Sequence, residues 1–99
     1  MKLSKSIIES CCREGKLEEC LRKTKPSKRQ IADVNSFHQI WKERRQTAIM
    51  YSNHDATRRS EKILAFIEKH KTAGLYYLLW RTENLQAIVT HDFKYIVVL

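Results

Sequence analysis

Glycine and proline are nearly missing from this chain of 99 residues, which has only Gly15, Gly74 and Pro26. Such scarcity excludes a Gly-rich phosphate loop, a flexible linker and a low-complexity tract, and it makes each of the three a credible end of a regular segment. No apolar run approaches the roughly 20 residues of a membrane span, and Met1 to Leu3 lead into polar residues with no hydrophobic leader. A soluble, intracellular, cytoplasmic protein without membrane contact is expected. Cysteine is sparse as well: Cys11, Cys12 and Cys20 are odd in number and two are adjacent, so they read as reduced thiols. Their spacing is not a zinc spacing, and neither a metal nor a cofactor is expected. The G-x-S-x-G, H-E-x-x-H and C-x-x-C patterns are absent, so no self-advertising catalytic chemistry is supported.

Positive charge is scarce only at one end. Of the 19 Lys and Arg, just Arg81 and Lys94 lie beyond Gly74, while 75–99 is mostly apolar and carries no net charge. The formal balance of +8 points to an anionic partner, nucleic acid first. One domain, 1–99, is expected, with a basic helical part at 4–74 and a β-sheet part at 75–99.

Capping and periodicity place the helices. Ser6 and Glu9 have capping-box form and predict a first helix presenting Ile7, Ile8, Cys11 and Cys12 and stopping at Gly15. A second, from about Lys16 to Lys23, puts Leu17, Cys20 and Leu21 on one face, and Pro26 blocks its continuation. Ser27 and Gln30 repeat the capping box and predict a long helix reaching about Tyr51, with Ile31, Val34, Phe37, Trp41, Ala48 and Ile49 on one side. His38 and Arg45 fall inside that stripe; Arg45, one turn beyond Trp41, is placed either to lie across the indole or to snorkel as an ordinary arginine at the edge of the core, its stem covering apolar surface. Ser52 to Asp55 reads as a turn, with Asn53 or Asp55 capping a helix to about Lys71 that buries Ala56, Ile63, Phe66 and Ile67. Around that helix Arg58, Lys62 and Lys69 share one flank, and Glu61 and Glu68 lie on another strip.

From Leu75 the period becomes extended. Leu75 to Arg81, Leu85 to Thr90 and Phe93 to Val98 read as three strands of an antiparallel meander, joined by Thr82-Glu83-Asn84 and His91-Asp92. The expected fold class is therefore α+β: N-terminal helices followed by a C-terminal three-stranded antiparallel β-meander. Both alternate sets of the first strand are apolar. Because a sheet with one wet face alternates cleanly, the second face needs a cover, and Tyr76, Leu78, Trp80, Ile96 and Val98 are expected to meet a second copy or another protein.

The leading functional expectation is nucleic-acid binding, DNA or RNA, through phosphates. Its candidate contacts are Lys28, Arg29, Lys42, Arg44, Arg45, Arg58, Lys62 and Lys69. A winged-helix version follows the order of basic helix then hairpin, although the preceding turn lacks helix-turn-helix spacing. A protein-binding module of viral or mobile-element type, docking on a larger nucleic-acid-handling machine, is the alternative. The enzyme alternative is a metal-independent, toxin-type ribonuclease, for which His91, Lys94, Tyr95 and Arg81 offer a base, an acid and cations. It is an analogy of element order, and His91-Asp92 also suits an ordinary turn.

Overall fold

The computed structural model describes residues 2–31 and 33–99, and at 28–31 the backbone alone. The fold is α+β, with elements in the order α1 (Lys5–Arg13), α2 (Leu17–Thr24), β1 (Lys28–Ile31), α3 (Val34–Met50), α4 (His54–His70), a short 3-10 turn (Lys71–Ala73), β2 (Leu75–Trp80), β3 (Leu85–Thr90) and β4 (Ile96–Val98). They divide into two compact units. The first combines α1, α2 and all four strands, and the second, Asp33–Thr72, is the α3–α4 hairpin inserted between β1 and β2. The chain therefore does not divide at Gly74 into helices and sheet.

In the first unit, α1 starts two residues earlier than the Ser6 capping box implies, because the Ser4 hydroxyl accepts the N–H of Ile7. It ends as expected. Gly15 takes the left-handed conformation (φ 73°), donating to Cys12 O at 3.1 Å while Lys16 donates to Cys11 O at 2.8 Å, a Schellman pair that turns the chain into α2.

The sheet is antiparallel throughout, in the order β1-β2-β3-β4. The C-terminal three-stranded meander is as expected, except that its last strand starts at Ile96 and not at Phe93, which takes φ 59° in the preceding turn; β1 is an addition. The Ser27–Gln30 capping box does not form, since Ser27 is engaged elsewhere: its N–H and its hydroxyl donate to Leu79 O at 2.8 and 2.9 Å, and its Oγ accepts Arg81 N–H at 3.2 Å. These bonds start a pairing in which Lys28 faces Leu79 and Ile31 faces Tyr76. The helix expected from Ser27 begins instead at Val34, capped by the Asp33 carboxylate.

The sheet face bearing Leu78, Trp80, Ala87, Val89 and Val98 shares one core cluster with Ile8, Leu17 and Leu21 of α1 and α2, with Tyr76 and Ile96 packed at its margin. Four of the cluster's residues, Ile8, Leu78, Ala87 and Val89, are fully inaccessible, and each large aliphatic among them contributes about 1.5–3 kcal/mol by leaving water. The expectation that Tyr76, Leu78, Trp80, Ile96 and Val98 meet a second copy or another protein is therefore corrected: α1 and α2, short as they are, cover that face. Trp80 keeps its polar edge satisfied, its Nε1 donating to the Thr24 hydroxyl at 3.2 Å. On the opposite face, by the two-residue period, Leu75, Ile88, Thr90 and Val97 are buried too.

In the second unit α3 and α4 pack side by side. Their turn is a second Schellman pair, Ser52 N–H to Ile49 O at 3.1 Å and Asn53 N–H to Ala48 O at 2.8 Å, with Ser52 itself at φ 54°. Asn53 then caps α4, accepting Ala56 N–H at 3.1 Å. Trp41, Ala48, Ile63 and Ile67 are buried, and so is Ser60, whose hydroxyl donates to Ala56 O at 2.8 Å. No helix among the described residues is long and apolar enough to cross a membrane.

Candidate nucleic-acid interface

The hairpin sorts its charges. On α4, Arg58, Lys62 and Lys69 are all exposed. At 100° per residue they lie within about 40° of one another, along roughly 16 Å of helix axis. Among the described residues none of the three has a carboxylate within 4.0 Å. The acidic strip of α4 is occupied: Arg45 Nε donates to Glu61 at 3.3 Å, and Lys71 Nζ donates to Glu68 at 2.9 Å. The Lys71 hydrogen bond and charge hold the Glu68 carboxyl below its ordinary value, helped by the positive fields of His38 and Lys42 on α3. Arg45 thus faces a carboxylate, and its charge is partly spent inside the protein.

Arginine 44, not Arg45, lies over Trp41, with its guanidinium carbon 4.5 Å from the ring centroid. Glu61 draws Arg45 aside and leaves the ring to the neighbour at i+3. Lys28 and Arg29 belong to β1 and not to a helix, and their side chains lie outside the described residues.

The ribonuclease set does not assemble. Arg81 follows the end of β2 that pairs with Leu85, whereas His91 follows the end of β3 that pairs with Leu75, so a six-residue ladder separates them. That ladder is about 20 Å long. The His91 ring packs on Tyr76 with centroids 4.2 Å apart, and its Nε2 is buried with no hydrogen-bond partner among the described residues, a poor position for a general base. Asp92 serves its turn: its carboxylate accepts the Thr90 hydroxyl at 2.6 Å and the Lys94 N–H at 3.0 Å, bonds that depress its pKa, the Thr90 bond most. Lys94 and Tyr95 are exposed on the segment leading to β4.

One feature escaped the sequence reading. A cavity of about 530 Å³ in the first unit is lined in part by Leu3, Ile7, Lys16, Lys23 and two thiols, Cys11 and Cys20. Among the described residues no group of three or more His, Cys, Asp or Glu is placed to hold a metal ion. Comparisons with protein families, with curated proteins and with solved structures give no match for this chain.

Proposed function

We propose that the protein binds nucleic acid through phosphates, with Arg58, Lys62 and Lys69 of α4 as the principal contacts. The supporting observation is their segregation: three exposed cations on one helix flank without internal carboxylate partners, beside a strip where Arg45 and Lys71 are already paired. Unpaired cations lose no internal salt bridge on meeting a phosphate, so counterion release favours them over the paired ones. Arg59, exposed on the neighbouring turn position, adds a fourth. Contacts of this kind position a protein on its ligand with little base preference.

The test is fluorescence anisotropy on labelled duplex and single-stranded DNA and RNA across a salt series. Four phosphate contacts predict a slope of log K against log salt of about −3.6 on duplex DNA. Replacing Arg58, Lys62 and Lys69 together with alanine is expected to leave a slope near −1. Affinity that ignored both salt and the triple variant would overturn the reading.

A second reading, docking on another protein, draws on Met50 and Tyr51, which are 72% and 78% exposed at the end of α3. A nuclease-resistant complex lost on replacing Met50 and Tyr51 by serine would favour it.

A further inference from the structure

We propose that Cys11 and Cys20 form a site of reversible oxidation, a dithiol that exchanges with small-molecule disulfides entering the cavity between α1 and α2. The inference is independent of the phosphate-binding reading. The two thiols come from different helices, yet the Schellman turn at Gly15 brings them together: Cys11 O accepts Lys16 N–H at 2.8 Å, and Lys16 O accepts Cys20 N–H at 3.0 Å. A single residue thus bridges the two backbones. The Cys11 thiol lies near enough to Cys20 to raise the proton affinity of its thiol. Both cysteines are free and half-buried, and both line the cavity of about 530 Å³, so a reagent reaches them without unfolding. Cys12, the sequence neighbour, is turned away: its Sγ donates to Lys94 O at 3.2 Å, and burial raises its pKa.

The order of events follows from proton affinity. Burial foremost, then the neighbouring Cys11 thiol, push the Cys20 thiol up to about 11, against the lowering field of Lys23. Cys20 is therefore not the first nucleophile. The Cys11 thiolate attacks one sulfur of the incoming disulfide, forming a mixed disulfide and expelling one thiolate. With Cys11 capped, its influence on Cys20 disappears, and Cys20 gives up its proton more readily. Its thiolate attacks the Cys11 sulfur and expels the second thiolate. Two protein thiols are oxidised to one disulfide, one reagent disulfide is reduced to two thiols, and the two protein protons pass to the two leaving thiolates. The product pins α1 to α2 across Gly15. Closing this loop of about ten residues is expected to raise the thermal midpoint by roughly 10–20 °C.

The test is incubation of the folded full chain with glutathione disulfide near pH 8, followed by non-reducing intact mass and peptide mapping. The expected result is a loss of about 2 Da, the two thiol hydrogens, a Cys11–Cys20 cross-linked peptide, and reversal by reductant. Cys12→Ser should behave as the unsubstituted chain, and Cys20→Ser should stop at a glutathione adduct on Cys11. A bridge that includes Cys12, an adduct on the unsubstituted chain that never resolves, or no reaction of the folded chain overturns the assignment.

Discussion

Gly74 and His91 are in direct contact: the His91 N–H donates to Gly74 O at 3.2 Å, and a Cβ on residue 74 would run into Cε1 and Nδ1 of the imidazole. Gly74 also has φ 83°, so two separate constraints exclude a side chain there. Gly74→Ala is expected to cost roughly 2–4 kcal/mol, from overpacking added to left-handed strain. In the double variant with His91→Ala the collision is gone, and the further cost of the Gly74 substitution should fall to about 1 kcal/mol. Urea midpoints at constant m measure both; equal cost of Gly74→Ala in the two backgrounds would contradict the contact.

The two Schellman turns make a matched comparison. Gly15 has open space around its Cα and carries only the backbone requirement, so Gly15→Ala should cost about 1 kcal/mol. Ser52 holds the same conformation with a side chain, so Ser52→Gly should stabilise by about 0.5–1 kcal/mol. Thermal denaturation of the pair checks this, and a destabilised Ser52→Gly is the contrary result.

Asp92 sets a pH dependence of known sign. Its carboxyl is held below the ordinary 3.8, first by the Thr90 hydroxyl and then by the Lys94 N–H. A depressed folded value means that the stabilisation is fully present above the unfolded value and is lost as pH falls through the folded one. Asp33, lowered by its bonds from Ser36, and Glu68, lowered by Lys71, act in the same direction. Thermal midpoints of the unsubstituted chain should therefore decline below about pH 4. Asp92→Asn should be less stable near pH 7, with the gap closing toward about pH 2; a gap that widened on acidification would contradict the assignment.

Charge bookkeeping on the hairpin gives a gain-of-binding variant. Under the proposed function, Glu61→Gln releases Arg45 from its 3.3 Å pair and should steepen the salt slope on duplex DNA by up to about 0.9. The exposed pair contributes little to stability, under about 1 kcal/mol, so the fold should tolerate the change. Anisotropy titration at several salt concentrations reads it out, and weaker binding would argue against phosphate contact by this hairpin.

The sequence made visible what is decided locally. Gly15 ends α1, Asn53 caps α4, and the β-branched and aromatic residues of β2, β3 and β4 announce strands, because each depends on its immediate neighbours. β1 was hidden for the opposite reason. Four largely polar residues became a strand only through pairing with β2, far along the chain, and Ser27, a plausible helix cap by local pattern, was captured by Leu79 and Arg81. The two-faced apolar sheet was read correctly as needing a cover, but periodicity has no means of telling α1 and α2 from a second copy. For the candidate site, the α4 flank of Arg58, Lys62 and Lys69 was legible from helix geometry, whereas the exchange of Arg45 for Arg44 over Trp41 depended on Glu61 of another helix. The approach of Cys11 to Cys20 depended likewise on how a turn folds.

The insertion of α3 and α4 between β1 and β2 has a consequence for synthesis on the ribosome. β1 emerges first and stays without its ladder partner until the whole hairpin and then Leu75 to Trp80 have followed, while α3 and α4 meet through nearby contacts as soon as they are made. Local contacts close sooner than distant ones, so the inserted rods should acquire order before the sheet that brackets them. Pulse-labelled amides in α4 gaining protection ahead of those in β2 would record that sequence of events, and the reverse order would refute it.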